Sequence, residues 1–384
     1  MTVSPSFLLP APQGGAPDLL VVAGEHSGNE HAARMVAGLL RLRPGLRVAA
    51  LGGPRLAAAG AELLYDRTAV SVVGFAEVLW NLSFFRALIY ETVSWIARHR
   101  PAAVCLVDNS GVNLRIAEAL RLRGVSAKGG GSVRTLYYIS PQVWASRAGR
   151  RFEMARNLDG LAVIFPFEAG CYADTGLPVE FVGHPFMAPE YSPPVRHDPA
   201  GPVLLLPGSR PKAVGLIMPA LLGGFLGFAR GGRERPAVVL YPSAAIRAQL
   251  QAMALPPEVR LLPTGTAVSA SAVLTSSGTM SMHCALAGIP GAIVYRTDPL
   301  TYLAGRWLVR VPYLGMANIL LGEPMYPEFI QGASSPAALA AELAACVGDP
   351  SRRARTAAQS AELRAMLANP TGASAADWLL RNLR

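Results

Sequence analysis

Short apolar runs separated by polar turns recur along most of the chain. Runs at 18–22, 47–51, 102–107, 135–139, 161–164 and 180–182 fill the first half, and runs at 203–206, 237–241, 259–262, 272–275 and 291–295 the second. Most are continuously apolar rather than alternating, the pattern of a strand covered on both faces. Between them apolar residues return at helical spacing, as Met35, Leu39 and Leu42 do in a helix predicted over 30–42. A second helix is predicted over 112–123, and the tail from 336 onward is Ala, Leu and Arg at helical spacing. Strands alternating with helices predict parallel sheets of the doubly wound α/β kind. Six prolines, Pro185, Pro189, Pro193, Pro194, Pro199 and Pro202, mark a linker between two such halves. The expected organisation is a disordered lead-in over 1–17, a Rossmann-like domain over 18–190 and a proline-rich linker over 191–202. A second Rossmann-like domain follows over 203–350, with C-terminal helices over 351–384 that pack back on the first domain. The two domains are expected to face a cleft.

One stretch breaks the pattern. Over 69–98, Val72, Val73, Phe75, Val78, Leu79, Trp80, Leu82, Phe84, Phe85, Leu88 and Ile89 crowd together, interrupted by Glu77, Asn81 and Arg86. That apolar side is wider than one buried helix face requires. Two readings stand on composition alone: a core helix pair with aromatic filling, or an interfacial segment that dips into a bilayer with arginines at its rim.

Length and composition narrow the class. A chain of 384 residues can give each of two α/β domains its own core. Mean hydropathy is +0.31, yet no run reaches the roughly 18 uninterrupted apolar residues of a membrane span. The net charge of +10 permits an acidic partner, and all but Lys128 and Lys212 of the basic residues are arginine. Cys105, Cys171, Cys284 and Cys346 show no CxxC spacing and lie in or beside apolar segments, as buried thiols in a reducing compartment do. The opening residues lack a basic region ahead of an apolar core, so a cytoplasmic protein is expected.

The chemistry concentrates at strand ends. The run 203–206 stops at Pro207-Gly208-Ser209-Arg210, where Ser209 offers a hydroxyl to a phosphate oxygen and Arg210 a planar fork. Ser276-Ser277-Gly278-Thr279 follows another run and opens a helix, whose first N–H groups form an anion site. Either alone is an ordinary strand-to-helix turn; both in one half-chain point to a bound diphosphate. In the first half the run 102–107 delivers Asp108-Asn109-Ser110-Gly111, with Asp108 either a helix cap or a base. GxGxxG is absent, as are HExxH, DxD, GxSxG and any Cys/His cluster at metal spacing, so neither a metal nor a cofactor is expected. What remains suits group transfer with a diphosphate leaving group.

Several motifs together resemble those of the lipid-A-disaccharide synthases, glycosyltransferases of the two-Rossmann-domain (GT-B) type. They are Ala23-Gly24-Glu25-His26-Ser27-Gly28, Gly53-Pro54-Arg55, Val73-Gly74-Phe75-Ala76-Glu77-Val78-Leu79 and Val107-Asp108. Tyr138-Ile139-Ser140-Pro141-Gln142-Val143-Trp144-Ala145, Phe165-Pro166-Phe167-Glu168 and Gly183-His184-Pro185 continue the series. Pro207-Gly208-Ser209-Arg210, Ser277-Gly278-Thr279 and Asn318 complete it, collinear over roughly 18–331. The resemblance implies transfer from UDP-2,3-diacylglucosamine to 2,3-diacylglucosamine 1-phosphate, with inversion and without metal. The products would be a β-1,6-linked disaccharide 1-phosphate and UDP. It implies Asp108 as general base, with Ser209, Arg210, Ser277, Gly278, Thr279, His283 and Asn318 on the donor side. Glu25, Ser27, Gly28 and Gln142 are expected at the acceptor side. Val72, Val78, Leu79, Leu82 and Phe85 would face the membrane, favouring the interfacial reading of that stretch. The enzyme would sit peripherally on the cytoplasmic side of the inner membrane of a Gram-negative bacterium, without nucleic acid, with a homodimer open.

Four acids of the family's pattern are replaced: Asn29 after Ser-Gly, Gly111 in the strand-end loop, Ala213 after Arg210 and His283 after Ser-Gly-Thr. A neutral His accepts through only one ring nitrogen where Glu would accept from ribose hydroxyls. Two alternatives therefore accompany the synthase reading. One is a diverged UDP-sugar transferase or epimerase of the same fold; the other is a non-catalytic sugar-nucleotide binding protein at the membrane.

Overall fold

The computed structural model describes residues 8–24, 26–67, 78–189, 191–232, 235–299, 301–303, 311–369 and 371–383, without the side chains of 26–27 and 78–82. The chain divides into two units, residues 1–187 with 367–384, and residues 188–366.

In the first unit the apolar runs become β1 (Leu19–Ala23), β2 (Val48–Gly52), β4 (Ala103–Val107), β5 (Arg134–Tyr138), β6 (Gly160–Val163) and β7 (Val179–Phe181). With β3 (Glu62–Asp66) they form one parallel sheet in the order β3-β2-β1-β4-β5-β6-β7. β1, β2, β4 and β6 are buried along their whole length, as a sheet flanked by helices on both faces requires. Those helices include α1 (His26–Leu42), α2 (Pro54–Ala58), α3 (Val78–His99), α4 (Ser110–Leu122) and α5 (Arg150–Asn157). α1 opens four residues before the predicted helix and so takes in Gly28 and Asn29. Asn29 is buried, and its Oδ1 accepts the Gly53 N–H at 2.8 Å. An amide oxygen serves that turn as a carboxylate would, so the exchange of Asp for Asn keeps this contact.

Three boundaries differ from expectation. Residues 8–17 are not a free lead-in: Leu9 is buried, Trp95 Nε1 donates to the Pro10 carbonyl at 2.8 Å and the Gln13 N–H donates to Glu62. Apolar Leu9 and the indole donor of α3 hold this segment down. The predicted linker 191–202 contains a strand, β8 (Val195–His197), which pairs in parallel with β12 (Val268–Ala270) of the second unit. The prolines flank that strand and leave its ladder groups intact. Of the C-terminal helices, only Ala375–Asn382 belongs to the first unit, where Arg134 donates to the Asn382 carbonyl and side chain at 3.0 Å. The helix Pro350–Leu367 packs within the second unit. There Arg352 reaches the Gly291 carbonyl and Glu342, and Ser360 donates to the Leu286 carbonyl.

The second unit repeats the scheme with β9 (Val203–Leu206), β10 (Ala237–Tyr241), β11 (Val259–Pro263), β13 (Ala272–Thr275), β14 (Gly291–Tyr295) and β15 (Glu328–Ile330). All are parallel, in the order β11-β10-β9-β13-β14-β15. Among its helices are α6 (Pro211–Arg230), α7 (Ala244–Gln251) and α8 (Thr279–Leu286). α6 alone among the described helices is long and apolar enough to cross a membrane. It is a core helix: Val214, Met218, Leu221 and Phe225 are buried, and a Cβ on Gly224 would meet Leu339 Cβ at 2.5 Å.

One buried acid makes the first unit sensitive to pH. Glu168 accepts the Phe165 N–H at 3.1 Å and the Trp144 indole N–H at 3.3 Å, yet burial raises its pKa from 4.5 to about 7. Between those values the folded chain holds a proton that the unfolded chain has released. This carboxyl therefore costs stability progressively as pH rises from about 4.5 to 7, and the full cost remains above that. We expect the stability difference between Glu168→Gln and the parent, from urea titrations, to shift in favour of the variant by a few kcal/mol across that window. A pH-independent difference would contradict the burial argument.

Candidate active site

In each sheet the strand order reverses beside the first strand, and the loops after the flanking strands meet there. In the first unit these are the β1–α1 and β4–α4 loops. Asp108 and Asn109 leave β4 in left-handed backbone geometry, at φ 50° and 41°. Such geometry persists in non-glycine residues only where the surroundings over-determine it. Here the Asp108 N–H donates to the Tyr138 carbonyl at 3.0 Å. Its carbonyl accepts from Asn113 Nδ2 at 2.9 Å and from the Tyr137 hydroxyl at 2.5 Å. Asn113 and Tyr137 are fully buried, and burial first of all pushes the Tyr137 phenol well above its usual pKa, so it remains a donor.

The β1–α1 loop closes on this turn. A Cβ on Gly24 would lie 2.1 Å from Asn109 Nδ2, so only glycine fits. A Cβ on Gly28 would lie 3.4 Å from Asp108 Cβ and 3.7 Å from Asp108 Oδ2, so Gly28 and Asp108 are brought together. Glu25 and the side chain of Ser27 fall outside the described residues. Gln142 is exposed in the turn after β5, where its carbonyl accepts the Ala145 and Ser146 N–H groups. Gly111 is exposed with open space where a Cβ would stand, so nothing steric excludes the family's Asp there.

In the second unit the loops after β9 and β13 meet. Gly208, at φ 108°, would place a Cβ 3.3 Å from Ser276 Oγ, and the Ser276 N–H donates to the Leu206 carbonyl at 2.8 Å. Ser209 and Arg210 are exposed, with Arg210 the cap of α6. Gly278 caps α8 without a side-chain bond, and it and Thr279 are exposed, Ser277 half-buried. Hydroxyls, a guanidinium and the start of α8 are thus collected at the carboxyl end of the two central strands, a composition suited to phosphate oxygens.

Two residues expected on the donor side are buried and hydrogen-bonded within the second unit. Asn318 is fully buried: its Nδ2 donates to the Tyr326 carbonyl at 2.7 Å and to Glu328 Oε1 at 2.9 Å, and its Oδ1 accepts the Tyr326 N–H at 3.0 Å. Glu328 in turn accepts the Leu314 and Gly315 N–H groups, so the pair shapes the loop. His283 is buried, its ring stacked on Tyr191 at 5.7 Å and its Nδ1 bonded to the Tyr191 hydroxyl. The sequence reading missed Tyr191 because it assigned that residue to a linker. It missed Glu328 because the short, half-buried strand that carries it shows no apolar run.

Of the apolar stretch, Val72 and the side chains of Val78, Leu79 and Leu82 lie outside the described residues. Phe85 is half-buried and packs against the first core, so it does not simply face outward. Among the described residues no group of His, Cys, Asp and Glu could hold a metal ion.

The family profile described as Lipid-A-disaccharide synthetase matches residues 19–380. The chain belongs to that family. The lipid-A-disaccharide synthase of Syntrophus aciditrophicus is 34% identical over 378 residues, covering 93% of this chain and 95% of that protein. The one from Geobacter sulfurreducens is 35% identical over 364 residues, covering 88% and 90%. Solved structures share the fold. The glycotransferase of kitacinnamycin superposes with a TM-score of 0.58 at 17% identity, over 96% of this chain and 100% of its own. A Neisseria meningitidis UDP-GlcNAc 2-epimerase follows at 0.54 and 11%, over 95% and 99%. Transferases and epimerases thus share this GT-B architecture, and it is the sequence family that makes the chain a glycosyltransferase. Its activity is lipid-A-disaccharide synthesis, in lipid A biosynthesis.

The network around Asn318 gives a direct check. Asn318→Ala leaves a buried carboxylate oxygen and two buried backbone groups without this partner, and is expected to cost about 2–4 kcal/mol, read as a fall in Tm. An unchanged Tm would return Asn318 to a ligand-facing role.

Proposed function

We propose that this synthase joins UDP-2,3-diacylglucosamine to 2,3-diacylglucosamine 1-phosphate by direct displacement, with Asp108 as general base. The observation that carries the reading is the over-determined turn that holds Asp108 at the switch point of the first sheet, against Gly28. The acceptor 6-hydroxyl passes its proton to Asp108 as its oxygen bonds to the donor C1, and the bond from C1 to the β-phosphate oxygen breaks. The electron pair leaves with UDP, and configuration at C1 inverts. Ser209, Arg210 and the N–H groups at Ser277, Gly278 and Thr279 take up the charge that develops on the departing diphosphate. That function requires donors already in place and exposed, and the loops after β9 and β13 offer them.

Both substrates carry acyl chains, so the enzyme meets them at a bilayer, on the cytoplasmic face of the inner membrane. The crowded apolar residues of 72–82 are the segment suited to that contact. Replacing Val78, Leu79 and Leu82 by Ser is expected to reduce cosedimentation with anionic lipid vesicles; undiminished cosedimentation would assign the contact elsewhere.

The division of labour is tested by a pair of variants. Asp108→Asn is expected to lower kcat by about 10²–10⁴ while UDP binds as before. Arg210→Ala is expected to raise the donor KM by about tenfold or more, with the acceptor KM little changed. Full turnover in Asp108→Asn would remove it as the base, and an unaltered donor KM would remove Arg210 from the diphosphate.

A further inference from the structure

The turn between β5 and α5 carries more positive charge than its surroundings balance. Arg147, Arg150 and Arg151 fall within five residues at the start of α5, the end of a helix that disfavours cations. Arg151 is accounted for: it pairs with Asp174 at 2.6 Å and lies over the Phe152 ring at 4.2 Å. Arg147 and Arg150 are not, since among the described residues neither forms an ion pair. Arg147 is exposed on left-handed backbone at φ 53°, and its carbonyl accepts the Arg150 N–H at 2.9 Å, which places both residues on one tight turn.

Arg150 does not wander from the reaction centre. Its Nη1 donates to Ser110 Oγ at 3.2 Å, across from α5 to the first residue of α4 and two residues from Asp108. Ser110 accepts one N–H of the guanidinium and leaves the rest of the fork for another acceptor. Asp108 and Arg150 both act electrostatically on Tyr137, whose hydroxyl holds the Asp108 carbonyl. Gly111, next to Ser110, is exposed, and a Cβ there would meet nothing within 4 Å.

We infer that Arg150, with Arg147 beside it, binds the phosphate monoester of the acceptor sugar and so selects a phosphorylated acceptor. The inference rests on the reading that the acceptor 6-hydroxyl lies against Asp108. In that sugar the reacting hydroxyl and the 1-phosphate sit on opposite sides of the ring oxygen, roughly one ring apart. An arginine anchored two residues from the base is placed to meet the phosphate of a sugar whose hydroxyl meets Asp108. A planar fork suits a dianionic phosphate, and its serine partner is neutral.

The test compares the phosphorylated acceptor with the same diacylglucosamine lacking the phosphate. The parent enzyme is expected to prefer the phosphorylated form. Arg150→Gln should raise its KM by about ten- to a hundredfold, leave the KM of the unphosphorylated form and of the donor unchanged, and so erase the preference. Arg147→Gln, at an exposed position, should reduce the preference in the same direction by less. Inhibition by glucosamine 1-phosphate should weaken in step in both variants. The inference is overturned if both variants keep the parent's preference, or if Arg150→Gln raises the two acceptor KM values equally. Asp108→Asn is expected to keep full inhibition by glucosamine 1-phosphate. Should Asp108→Asn turn over normally while Arg150→Gln still loses the preference, the base assignment falls and the phosphate site stands.

Discussion

The first-unit site hangs on the backbone carbonyl of Asp108. Two buried donors, the Asn113 amide and the Tyr137 hydroxyl, converge on it and hold two successive residues in a conformation that side chains disfavour. Each left-handed residue costs on the order of 1 kcal/mol or more, and each hydrogen bond to a buried acceptor returns a similar amount. The turn is therefore stable only while both donors are in place. Gly24 belongs to the same constraint, because Asn109 occupies the volume that any side chain there would need.

The second unit meets the corresponding problem with different residues. Gly208 supplies the left-handed position without a steric cost, and the neighbouring loop approaches closely enough that Ser276 fills the space of its missing side chain. The exposed groups there, Ser209, Arg210 and the uncapped start of α8, stand on strands buried along their full length. Rigid strands and exposed loop ends divide the work: the sheet sets positions and the loops supply donors. Asn318 bonds to Glu328, and His283 stacks on Tyr191, within the same unit.

How much of this was legible in the sequence depended on burial. The strands in the middle of each sheet are covered on both faces, so they read as apolar runs. β8 and β15 are only three residues long and β3 is only partly buried, and no periodicity marked them. The strand-end positions of Asp108 and of Ser209-Arg210 were legible because the apolar runs of buried strands stop there. The partners of Asn318 and His283 were not legible, because Glu328 and Tyr191 are residues that no local pattern announces. Residues 8–17 looked like a free lead-in because Pro, Gly and Ala dominate there. What orders them is the Trp95 indole and the Glu62 carboxylate, far along the chain.

The central claim is that two separate strand-end loops divide the substrates, the acceptor at 107–113 and the donor diphosphate at 207–214 and 276–283. Amide hydrogen exchange with UDP alone, then with glucosamine 1-phosphate alone, reads this directly. The account predicts that UDP slows exchange at the two second-unit loops and leaves 107–113 unchanged, while the sugar phosphate slows 107–113 and 147–151 only. Protection of 107–113 by UDP, or of neither region by its own ligand, would contradict it.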